Sequence, residues 1–340
     1  MSLRTSSSLF GRGASRSPFL RITSDLFTFA VAVAGAAVGA LFVTARSDAT
    51  SADAVALSLD VLFDLLIPGL AGVSACVSTV LCVRAALRRA SSAFGRKSLL
   101  VAVSAMLFAA STFYRSLNIA SEGAALCRGE PTVFNAPLTG RSVATVGEIA
   151  LVVQASIFIE EAARRLGAAR GPWSLLCSKY TQVHFSTIAP VIAAEVFSWS
   201  GVLRLAGKRS ALFFCCEYVM WMLIAGSWAW DCAELLHKST KFMDLVAFTV
   251  LMLTGVVLFF FNAFLELPHF FSGADRDENM PGLWECVQSR DSPLWRKRLP
   301  FFVLYFIGAS FIAVAGANRF MLSVRNDDDD SATRDKEKSK

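Results

Sequence analysis

Three glutamates stand alone in apolar stretches of this chain: Glu148 after Gly147, Glu195 after Ala194 and Glu217 after Cys216. A carboxylate near the centre of a membrane helix costs about 2.5–3.5 kcal/mol on insertion scales, so it is expected to face the bundle interior and to be functional. There it must pair with a cation, accept hydrogen bonds, bind a cationic ligand or carry a proton. Arg115 lies inside the apolar run at 98–118 and is the expected counter-charge for one of the three acids. The other two are left to attract a proton, a metal ion or the cationic group of a ligand. Trp199 and Trp221 each follow a glutamate by four residues, one helical turn away, where an aromatic face could border a cationic ligand. Inter-helix hydrogen bonding by neutral glutamates is the competing structural role, and in membranes it is worth only about 0.6 kcal/mol on average.

Two further polar sets share a helical face with this chemistry. Asn262, Glu266 and His269, spaced four and three apart, are expected on one face at the end of an apolar run. Ser104, Ser111, Arg115 and Glu122 recur at seven, four and seven along another helix, and Asp60 and Asp64 enter a neighbouring run before Pro68. The candidate ligand-binding residues are therefore Glu148, Glu195, Glu217, Arg115, Asn262, Glu266 and His269. No catalytic residue is assigned, and the identity of any metal is open.

The elements that must position these residues follow from composition. The 340 residues are 54% hydrophobic and only 18% charged, too apolar for a soluble chain of this length. Runs of about 20 apolar residues imply an all-α, polytopic membrane bundle of about eight transmembrane helices. They fall near 26–45, 57–83, 98–118, 142–160, 185–203, 210–230, 245–266 and 299–320. This organises the chain as a basic tail (1–25), the helical bundle (26–320) and a charged tail (321–340). The longer connections, 119–141, 161–184 and 267–298, leave no room for a soluble catalytic domain. Lys and Arg divide 21 to 11 between the two sides, and the richer side holds both termini, so both termini are expected in the cytosol. By that topology the acids concentrate in the non-cytosolic half. Glu148 lies seven residues past Arg141, about 10 Å below that surface, with Glu195 nearer the midplane.

Location is suggested by both tails. The chain finishes Lys336-Glu337-Lys338-Ser339-Lys340, which resembles the dilysine retrieval signal of endoplasmic reticulum membrane proteins. The first 24 residues hold four arginines, many serines and no acid, a composition that also suits a mitochondrial or plastid transit peptide. Of eight cysteines, Cys127 and Cys286 fall in the two large non-cytosolic loops and are the pair able to form a disulfide in an oxidising lumen.

Several classes are excluded. Three histidines cannot supply a histidine-rich di-iron site, and no Cys-x-x-Cys provides a redox or zinc-ribbon centre. The segment 201–209, GVLRLAGKR, has the wrong glycine spacing for a phosphate loop, with Arg209 in place of the required Ser or Thr. Gly72-Val73-Ser74-Ala75 resembles the serine motif of intramembrane serine proteases but lacks a partner histidine at matching depth. No basic groove points to nucleic acid, and no cofactor is expected. The partners implied are the lipid bilayer and a small solute, cation or lipid ligand. Transport or binding of such a solute is the leading expectation, ahead of a lipid-modifying enzyme using a glutamate with His269, and of a non-catalytic assembly or receptor subunit.

Overall fold

A computed structural model describes residues 65–87, 93–118, 120–121, 124–125, 133–166, 185–203, 210–240, 242–268, 304–318 and 320. Apart from a few turn and bend residues and a two-residue antiparallel pair, Ala120–Ser121 with Ala124–Ala125, these are helical. Seven helices carry the description: α1 (Ile67–Leu87), α2 (Ala93–Leu117), α3 (Pro137–Leu166), α4 (Phe185–Val202), α5 (Ser210–Lys238), α6 (Phe242–Phe261) and α7 (Tyr305–Asn318). Among the described residues, five helical stretches are long and apolar enough to cross a membrane: Ile67–Leu87, Lys97–Leu117, Pro137–Leu166, Leu212–Lys238 and Ala247–Phe264. Thr187–Val202 and Tyr305–Asn318 are shorter apolar helices. The expected span at 26–45, both tails, Asp60, Asp64, Glu122, Cys127, Cys286 and His269 lie outside the described residues.

Local chemistry explains the helix limits. Pro137 opens α3 at the position where a missing N–H costs nothing, after a 3-10 turn at Val133–Asn135. Arg164 and Arg165 close the same helix, where cations complement its negative dipole end. At 30 and 29 residues, α3 and α5 run about 45 Å each, longer than the roughly 30 Å hydrocarbon core, so their ends reach the interfaces. The helix α3 therefore continues beyond the expected limit of 160 and takes Glu160 and Glu161 into its last turns. Aliphatic side chains such as Val80 and Val83 on α1 and Leu253 and Val257 on α6 are exposed, as suits faces turned to lipid.

The chain divides into two compact units, with α3 passing from one to the other at Ala150 and Leu151. One unit, residues 15–150 and 281–318, contains α1, α2, the first half of α3 and α7. In it Gly147 permits close approach of α3 to α2: a Cβ there would stand 2.5 Å from Ser111 Cβ. Ser111 uses that proximity to donate a hydrogen bond to the Val143 carbonyl at 2.8 Å.

The other unit, residues 1–14, 151–280 and 319–340, contains the second half of α3 with α4, α5 and α6. Ser156 on α3 and Thr187 on α4 share a buried hydroxyl–hydroxyl bond of 2.7 Å. Gly201 on α4 packs against the Phe214 ring on α5, so the pair joined by the short connection at 203–209 runs antiparallel. Gly255 on α6 lies against the backbone of Ala225 and Ala229 on α5, again a contact only glycine allows, since a Cβ would come 2.7 Å from the Ala225 oxygen. Phe158 and Phe248 bring α3 and α6 together, ring centroids 6.3 Å apart.

Candidate functional site

In the first unit Glu148 is held between two arginines. Arg115 Nη1 donates to Glu148 Oε1 at 2.8 Å, and Arg141 Nη2 donates to Oε2 at 3.0 Å. Tyr305 on α7 completes the cluster. Its hydroxyl accepts from Arg115 Nη1 at 2.9 Å and reaches Glu148 Oε1 at 3.4 Å, and its ring lies 4.9 Å from the Arg115 guanidinium carbon. The Phe108 ring packs edge-on against that tyrosine at 5.8 Å. The side chains of Arg115, Glu148 and Arg141 are 16%, 8% and 11% exposed, so these are charge-assisted bonds made largely out of solvent.

The helices dictate this meeting. Ser104, Phe108, Ser111 and Arg115 form the buried stripe of α2, which ends two residues later at Leu117. Arg141 and Glu148, seven residues apart, lie on one face of α3. The 3-10 turn before α3 is tied down by the Tyr114 hydroxyl donating to the Phe134 carbonyl and by Thr139 donating to the Val133 carbonyl at 2.6 Å. Sequence reasoning placed Arg141 at a helix entrance and missed its burial, and it missed Tyr305 entirely. The i to i+7 spacing of Arg141 and Glu148 was the available signal for the first. Nothing in the sequence marks Tyr305.

Within this cluster one carboxylate meets two guanidiniums. Among the described residues of that unit Glu148 is the sole acid. Such a group is poorly suited to attract a further cation and well suited to fix α2, α3 and α7 in register.

Glu195 and Glu217 belong to the second unit, on α4 and α5. They are 4% and 7% exposed, on helices that also bury Val191, Ala194, Ser198 and Ile224. With Gly201 opposite Phe214, Glu195 lies level with about residue 220, roughly one helical turn, or 4.5 Å along the axis, from Glu217. Ser198 is level with Glu217 by the same count. Trp199 and Trp221 are half-buried, whereas Trp228 is buried and Trp230 is exposed.

Asn262 and Glu266 open and close a π-wound turn that follows α6. The wider turn removes the one-above-the-other spacing that an α-helix would give residues four apart, so their expected common face is altered. Asn262 itself is buried and continues the line Phe248, Gly255, Asn262 at intervals of seven, the face that Gly255 presses on α5.

A second acidic group escaped the sequence reading. Glu161, assigned to a connection, is fully buried near the end of α3, accepting from Arg165 Nε at 2.9 Å and from Arg164, including Arg164 Nε at 3.1 Å. The three- and four-residue spacings were its signal. Among the described residues no group of three or more His, Cys, Asp and Glu side chains is arranged to hold a metal ion. No protein-family model matches the chain, and no characterised protein sequence or solved structure matches it either.

Proposed function

We propose that this helical, integral membrane protein binds and conveys a small cationic solute or a proton, with Glu195 and Glu217 as its acidic ligands. One observation carries the reading: two carboxylates, each more than nine-tenths buried, lie on adjacent antiparallel helices of one unit at levels about a turn apart along the axis. Asn262 in the π-wound turn and the half-buried Trp199 and Trp221 supply polar and aromatic neighbours of the kind such a ligand uses. Glu148, with Arg115 and Arg141, serves as an anchor of the first unit rather than as a ligand. The reading extends to an endoplasmic reticulum membrane with cytosolic termini, supported by the charge asymmetry and by Lys336 and Lys338.

The test is a flux assay on purified protein in proteoliposomes. Protons are followed with trapped pyranine, and sodium, rubidium and methylammonium with radiolabel. At least one should cross faster than in protein-free vesicles, and Glu195→Gln with Glu217→Gln should abolish the excess. Wild-type vesicles no leakier than empty ones to all four, or flux untouched by the double substitution, overturns the reading.

A further inference from the structure

Resting on that reading, two buried N–H donors of the same unit indicate which of those cations the site takes. Asn262 and Trp228 are each 3% exposed, and neither Asn262 Nδ2 nor Trp228 Nε1 has a hydrogen-bond partner among the described residues. Inside a bilayer an unmatched N–H is expensive, because no lipid tail accepts a hydrogen bond. Native buried polar groups in this position are matched by an ordered water or by a ligand.

Both donors lie on helix faces that border Glu217's side of α5. Gly255 lies opposite Ala225 and Ala229, so Asn262, seven residues further along α6, is level with about residue 220 of α5. That is within about one turn of Glu217 along the axis and of the level already found for Glu195. Trp228 follows Glu217 by eleven residues, three turns, and so shares its face of α5 about 16 Å further along the axis. The π-wound turn that begins at Asn262 is a winding frequently found at functional positions.

The sign of these groups selects the occupant. An N–H presents a positive hydrogen, which repels a dehydrated metal cation and is satisfied by the oxygen of water. A hard metal ion also needs about six oxygen ligands, of which two carboxylates supply a minority. We propose that the seam of α4, α5 and α6 is a water-holding proton site, with Asn262 Nδ2–H donating to a water near the level of the acids, Trp228 Nε1–H donating to a water further along the same face, and a file of such waters ending on Glu217 and Glu195. Loading breaks an O–H bond of a protonated water and forms one on a carboxylate oxygen; release reverses it. One proton moves and nothing is oxidised or reduced. The other titratable and charged groups on the packed elements are Glu160, Glu161, Arg164 and Arg165 near the end of α3, Cys215, Cys216, Tyr218, Asp231, Cys232, Glu234, His237 and Lys238 on α5, Asp244 at the start of α6, and Glu266 in the π-wound turn.

The experiment compares proton flux with sodium and rubidium flux in the same proteoliposomes for wild type, Trp228→Phe and Asn262→Leu. Trp228→Phe keeps an aromatic ring and removes only the donor. Each variant should slow proton flux roughly tenfold, the effect of losing one hydrogen bond of about 1.4 kcal/mol, with an unchanged elution profile and thermal midpoint. Asn262→Gln, which restores an amide donor, should recover part of the rate. If sodium or rubidium crosses by a glutamate-dependent route while protons do not, the proton assignment is wrong and the broader reading stands. If protons cross with equal speed in wild type and in a well-folded Trp228→Phe, the donors hold no working water and the inference falls. If no cation crosses, the failure lies with the broader reading.

Discussion

Replacing Glu148 by Gln tests whether the cluster of Arg115, Arg141 and Tyr305 is an electrostatic clamp. The substitution keeps the shape of the side chain and removes the charge between two guanidiniums whose exposures are 16% and 11%. Their contacts of 2.8 and 3.0 Å reach opposite oxygens of one carboxylate, so the two donor nitrogens stand no more than about 8 Å apart. At an effective dielectric constant of about 20, two like charges at that separation repel by about 2 kcal/mol. Breaking a buried pair from one side costs about 3–5 kcal/mol in measured cases, and the repulsion is a large part of it. By contrast, Arg115→Gln or Arg141→Gln leaves a neutral arginine–glutamate pair and should cost less. The assay is thermal unfolding of detergent-solubilised protein. A loss of about 3 kcal/mol corresponds to a fall in midpoint of roughly 6–12 °C for a unit of this size. The expected order is Glu148→Gln far below both arginine variants. Glu148→Gln as stable as Arg115→Gln, within about 1 kcal/mol, would refute the clamp.

Two further outcomes test the packing that positions the sites. Gly147→Ala should destabilise by about 1–3 kcal/mol because its Cβ would meet Ser111 Cβ at 2.5 Å, and Ser111→Gly in the same chain should restore stability in the same unfolding assay. A double-mutant cycle on Ser156→Ala and Thr187→Ala should give a coupling of about 0.6 kcal/mol, and additive losses would show that the 2.7 Å hydroxyl contact contributes nothing.

The apolar runs were legible because a lipid solvent demands about 20 apolar residues per span, a signal that survives without knowledge of any neighbour. The expected run at 98–118 and the helical span Lys97–Leu117 differ by one residue at each end. The run at 142–160 was cut short at both ends. Pro137, Arg141 and Glu161 lie in helix beyond it, because amphipathic and charged turns at an interface are helical without being uniformly apolar. The π-wound turn at Asn262–Glu266 left no mark, since hydropathy does not distinguish windings that differ by one hydrogen-bond register.

The three isolated glutamates, their cost in lipid and the helices that carry them were fixed by sequence alone, since solvation depends on residue type and depth. Which charge each glutamate meets was decided by tertiary packing. Arg141 lies seven residues from Glu148 and Tyr305 lies 157, yet both reach one carboxylate. Glycines at 147 and 255 let pairs of helices approach closely enough to fix those levels. A hydrogen bond acts over about 3 Å, so a set of polar residues becomes a site only when packing brings them within that reach.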